Sequence, residues 1–132
     1  TFSARGLDIV ARETRHVVGK PSMCFEIALP GKTGRIAWWS GDSVVDIERL
    51  ERLEARTSVF FHDCTFAQTT GQVHGAFSDF ERLSPSLRKK IVLMHHEDDL
   101  ERYRARAESL GFRLCMPGDV YDLVSGARLT TR

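Results

Sequence analysis

Thr57-Ser58-Val59-Phe60-Phe61-His62-Asp63-Cys64-Thr65 is the stretch on which the fold turns. Thr57 to Phe61 is β-branched and aromatic without polar alternation, the pattern of a strand covered on both faces, and it stops abruptly at a histidine and a carboxylate. Ile91-Val92-Leu93-Met94 repeats the pattern and stops at His95-His96. The segments around these runs have helical period instead. Val44, Val45, Ile47, Leu50 and Leu53 recur on one face with Asp46, Glu48, Arg49, Glu51, Arg52 and Glu54 opposite, which predicts a helix over Val44 to Arg56 with Asp42 or Ser43 near its N-cap. Asp98 to Leu110 reads likewise, and Gly111 stops it. Covered strands joined through helices run parallel, and their polar residues gather at the C-terminal ends of the strands. The fold class is α/β.

Upstream, Asp8 to Glu13 and Met23 to Leu29 alternate apolar and polar residues, and Pro30-Gly31-Lys32-Thr33-Gly34 turns the chain into Arg35-Ile36-Ala37-Trp38-Trp39. A polar loop runs from Thr65 to Gly75, then a helical stretch from about Phe77 to Lys90 breaks at Ser84-Pro85, and short strands lie over Phe112 to Cys115 and Val120 to Val124. The 132 residues make one unit, 1–132. A net charge of +1 excludes an overall electrostatic coat for nucleic acid or an acidic membrane surface. No apolar run approaches the roughly 18 residues of a membrane span, so no membrane partner is expected. Cys24, Cys64 and Cys115 fit neither a disulfide framework nor a metal knuckle, which places the chain in a reducing cytoplasm. Thr1 is not an initiator Met, and the sequence reads as a piece of something longer.

Three polar clusters fall at strand ends: Ser40-Gly41-Asp42, His62-Asp63 and His95-His96. Taken singly, each has an ordinary explanation. Gly-Asp after a strand is a turn, a histidine closing a strand is a hydrogen-bonding residue, Glu97-Asp98-Asp99 charges a helix N-terminus, and His16 is a surface residue. Their coincidence on one sheet edge points further, because carboxylate and imidazole donors converging there suit Zn, Mn or Fe. Two such ions can share one carboxylate, and a nearby histidine such as His74 can move a proton.

The segments Ile36-Ala37-Trp38-Trp39-Ser40-Gly41-Asp42-Ser43, Phe61-His62-Asp63-Cys64-Thr65-Phe66, Val73-His74-Gly75 and Ile91-Val92-Leu93-Met94-His95 come in an order that resembles the C-terminal half of the metallo-β-lactamase fold. Within it the resemblance is to the ribonuclease Z and phosphodiesterase-like branch, whose ySGDT, HEATF, HS(T/S) and L-T-H segments these match. Thr14-Arg15-His16-Val17-Val18-Gly19 fills that branch's earlier histidine slot. The resemblance implies the second half of a four-layer αββα sandwich, a mixed sheet with flanking helices. It makes His16, Asp42 and His95 metal ligands, Asp42 being the bridge, with His96 as the second choice for the last ligand. It makes Asp63 and His74 the catalytic pair. Two divalent ions are implied, Zn first and Mn or Fe as alternatives.

Three departures qualify the match. Asp63 stands where the branch has Glu, the acidic run Glu97-Asp98-Asp99 follows where the branch handles RNA phosphate, and the HxHxDH motif is absent from these residues. Each ion would have at most about two ligands from this chain, fewer than a stable site needs. The expectation is therefore a metal-dependent hydrolase of a phosphoester or nucleotide-like substrate, inactive as this chain alone. An N-terminal half, a partner chain or a homo-oligomer would complete it, covering an apolar face of Phe25, Ile27, Ile36, Trp38 and Val59 to Phe61. The alternative is a non-catalytic α/β protein-interaction domain with structural histidines.

Overall fold

The computed structural model describes residues 1–67 and 73–130. Seven strands form one sheet, β1 (Phe2–Ala4), β2 (Leu7–Thr14), β3 (Ser22–Ala28), β4 (Ile36–Ser40), β5 (Thr57–Asp63), β6 (Ile91–Met94) and β7 (Arg113–Leu114), in spatial order identical to chain order. β1 to β4 pair antiparallel and β4 to β7 pair parallel. The parallel steps pass through α1 (Ile47–Leu53), α2 (Phe77–Phe80) with α3 (Pro85–Arg88), and α4 (Glu101–Ser109). β8 (Val120–Tyr121) and β9 (Arg128–Thr130) form a separate ribbon.

The period of two along the strands sorts their side chains between two cores. Trp38, Phe60, Ile91, Leu93 and Leu114 join Leu50, Leu53, Phe80, Leu87 and Ala107 of the helices on one face. Ala37, Val59 and Val92 form a smaller cluster on the other, against which Tyr121 and Leu123 pack. Glu26, only 6% exposed, sits between Arg12 at 2.5 Å and Arg56 at 2.6 Å, tying β2 and β3 to the 3-10 turn Glu54–Arg56.

The elements differ from expectation where a cap or turn competes with periodicity. α1 begins at Ile47 because the Asp46 side chain accepts from the Arg49 N–H, while Asp42 and Ser43 are engaged elsewhere. The Phe77 to Lys90 stretch divides at Ser84, whose hydroxyl caps Leu87 N, with Pro85 following. The β1 to β2 hairpin escaped the sequence reading because Arg5 takes φ 49° beside Gly6 at 77°, and arginine does not announce such a turn. The polar loop expected after Thr65 lies partly outside the described residues.

The expected apolar face is also revised. Ile36, Trp38, Val59 and Phe60 are buried within this chain, whereas Phe25, Ile27 and Phe61 are half-buried. What remains open lies towards β1 to β4: Phe2 and Trp39 are exposed and flank Phe25, with ring centroids 6.5 and 5.7 Å from it. Nothing among the described residues ties this sheet to a second sheet of a four-layer sandwich. No helix is long and apolar enough to cross a membrane.

Leu87, fully buried between helix and sheet, reports on the larger core. Leu87→Ala is expected to cost about 2–5 kcal/mol, read as a lower urea midpoint at unchanged slope.

Candidate functional site

The C-terminal ends of β4, β5 and β6 are adjacent, and the residues that leave them converge. One donor atom each from Asp42, Asp63, His74 and His95 lies within 4.8 Å of all the others. Asp42 and His95 have φ of 44° and 55°; with Arg5 they are the non-glycine residues of positive φ among those described. Such a conformation costs about 1–3 kcal/mol and persists only where the surroundings impose it. At Asp42 they do: Ser22 Oγ donates to its carbonyl at 2.8 Å, and the next N–H, of Ser43, is drawn to Asp63 at 3.2 Å.

Asp63 has no exposed surface. Its carboxylate accepts from Ser43 N, lies 2.9 Å from His74 Nδ1 and 2.9 Å from His62 Nδ1. Burial pushes the Asp63 carboxyl up, but the bonds from His62, His74 and the Ser43 N–H outweigh it and hold the group below the usual carboxylate range. The bond to Asp63 assigns the His74 proton to Nδ1 and leaves the Nε2 lone pair free, the orientation a ligating histidine has with a carboxylate behind it.

His95 Nδ1 is 3.2 Å from Asp42 Oδ1, and His74 Nδ1 is 3.7 Å from the same oxygen. Donors on arms of about 2.0–2.1 Å in a tetrahedral site stand about 3.3 Å apart, which the His95 Nδ1 to Asp42 spacing matches for a divalent ion of the Zn, Mn or Fe class, while His74, its Nδ1–H turned to Asp63, has Nε2 to offer. The donors suffice for one ion with an open position; among the described residues there is no set for a second.

The other histidines divide. His16 stands beside the cluster, its ring 5.5 Å from that of His74 and its Nδ1 2.9 Å from the Val73 carbonyl, but it is not one of the four converging residues. His96 is tied by Nε2 to the Cys115 carbonyl at 3.0 Å, which leaves His95 as the histidine of that pair in the cluster. His62 is a residue the sequence reading did not single out. It is 1% exposed and packed by Trp38 and Phe80, and its role is to orient Asp63. Its alternation with Phe60 on the helix-facing side of β5 is the signal that could have found it.

The acidic run after His95 also reads differently. Glu97 turns inward, accepting from Thr65 Oγ1 and from the N–H groups of Phe66 and Ala67 at 3.0 Å, so it fastens the loop after β5 and does not face a ligand as a repelling charge. Gly75 completes the frame. A Cβ there would stand 2.5 Å from the Asp63 carbonyl and 2.9 Å from the Phe80 ring. Only glycine lets the segment carrying His74 lie against β5.

A family model described as Anti-Pycsar protein Apyc1 matches residues 1–116. A curated protein of Paenibacillus harenae, named Anti-Pycsar protein Apyc1, is 32% identical over 102 residues, covering 76% of this chain and 39% of that protein. These matches correct the assignment to the ribonuclease Z and phosphodiesterase-like branch of metallo-β-lactamase hydrolases. The family they name replaces that reading of the chain.

Gly75→Ala is expected to push the 73–76 segment off β5 and break the His74 to Asp63 bond, with a loss of about 1–3 kcal/mol in unfolding free energy and a shifted His74 imidazole resonance. Burial raises the Glu97 carboxyl, but Thr65 and the Ala67 and Phe66 N–H groups more than offset it and leave its pKa lowered. A carboxyl depressed in the folded state contributes stability above its unfolded value, near pH 4, and that stability is lost as pH falls through the folded value. Urea midpoints should therefore fall from about pH 4 downward, and less steeply in Glu97→Gln.

Proposed function

The chain belongs to the Anti-Pycsar protein Apyc1 family, and on that premise we propose that the complete protein antagonises a cyclic-nucleotide signalling defence by capturing a nucleotide-like phosphoester on a divalent cation held by Asp42, His74 and His95. The observation that carries the reading is the convergence of four metal-ligating side chains at adjacent strand ends, on a backbone strained at two of them. A cation there would offer a phosphate oxygen a Lewis-acidic contact. Asp63 contributes behind it by fixing the His74 ring, and His62 and Ser43 by fixing Asp63.

The chain spans 39% of the length of the relative it matches. We read the open face around Phe2, Phe25 and Trp39 as the surface on which the remainder of the protein packs. Ligands for the second of the two expected ions would come from that remainder, with His16 at the boundary.

Zinc titration of the complete protein, with metal content measured after dialysis, tests the assignment. Asp42→Ala and His95→Ala should each weaken binding at least about 100-fold, and His96→Ala should leave it unchanged. Asp63→Asn, which removes the negative charge behind His74 and leaves one acceptor oxygen for two histidines, should weaken it about 10- to 100-fold. Absence of bound metal in the wild type, or equal loss in the His95 and His96 variants, would sink the proposal. A nucleotide phosphodiester should bind only the metal-loaded protein.

A further inference from the structure

At the opposite end of β5 from Asp63 the chemistry reverses. A cavity of about 420 Å³ opens there, lined by Arg35, Thr57, Ser58, Lys89, Lys90 and Arg113 together with the 124–127 turn, and no carboxylate lines it. Among the described residues, none of its four cations makes an ion pair. Three of them, Arg35, Lys90 and Arg113, are held instead by main-chain carbonyls. Lys90 Nζ donates to Glu54 O at 2.6 Å and Thr57 O at 3.1 Å, and Arg35 Nη1 to Ala55 O at 3.1 Å. Arg113 donates to the Gly126 and Lys90 carbonyls, and its Nε is buried with no partner. Carbonyl dipoles fix where these groups sit but leave their charge uncompensated.

Four like charges gathered around one opening repel, and the arrangement is relieved by an anion seated among them. The donor set fits a phosphate group: two ammoniums act as point charges, and two guanidiniums offer planar forks. The volume falls within the range of small-molecule sites, about 300–1,000 Å³, with room for a phosphate and a modest substituent. β5 runs from Thr57 in the lining of this cavity to Asp63 in the Asp42 cluster, about 20 Å along the strand, so one small ligand cannot occupy both.

We propose that this cavity is an oxyanion site for the phosphate group of a small molecule, separate from the metal-ligating cluster and independent of the function assigned to it. The probe is inorganic pyrophosphate, titrated calorimetrically into the complete protein with EDTA present and Asp42→Ala as background, so that a metal at the cluster contributes nothing. The expected result is saturable binding near one equivalent. Lys89→Glu, at an exposed side chain, should weaken it about tenfold or more without changing the melting temperature. Arg113→Lys, which keeps the charge and removes the fork, should also weaken it. Absence of saturation at millimolar pyrophosphate, or equal affinity in the parent and Lys89→Glu proteins, overturns the proposal. So does binding of a random single-stranded oligonucleotide where pyrophosphate does not bind, which would assign the surface to nucleic acid.

Discussion

A carboxylate with no exposed surface is the constraint around which the rest of this molecule is arranged. An uncompensated charge in the interior costs several kcal/mol, so Asp63 exists only with donors on every side. The Ser43 N–H reaches it because Asp42 adopts a left-handed backbone, His62 because it faces the helix layer beside Phe60, and His74 because Gly75 permits close approach. Two of those accommodations, at Asp42 and Gly75, also place members of the strand-end cluster, Asp42 and His74. The buried charge and the exposed cluster are two sides of one arrangement, and removing the first would leave the second without orientation.

Much of this was legible in the residues. Unalternated apolar runs at Val59 to Phe61 and Ile91 to Met94 located the parallel strands, and the rule that polar residues collect at strand C-termini put Asp42, Asp63 and His95 on one edge. What periodicity cannot show is the use of a side chain by the main chain. The Glu97 carboxylate serving three donors of a distant loop, the His96 ring spent on the Cys115 carbonyl, and the reversal at Arg5 all depend on partners far apart in sequence or on a conformation the residue type does not advertise.

The functional label was harder than the geometry. Short segments such as Ser40-Gly41-Asp42 and Phe61-His62-Asp63 define where donors stand, and the same donors serve many proteins, so they led to a hydrolase branch that the family match replaces. The family was readable only from similarity spread over residues 1–116.

The sheet's strand order follows the chain without a single insertion, and this has a bearing on how the protein is made. Each strand pairs with the one already emerged, so a growing polypeptide can add to its edge during synthesis, and little loop-closure entropy accrues at any step. Asp42 and Asp63 leave the ribosome well before His95. Until β6 docks, the nascent chain carries both acidic groups without the last imidazole, and the four-residue cluster is completed late, as the final parallel strands close.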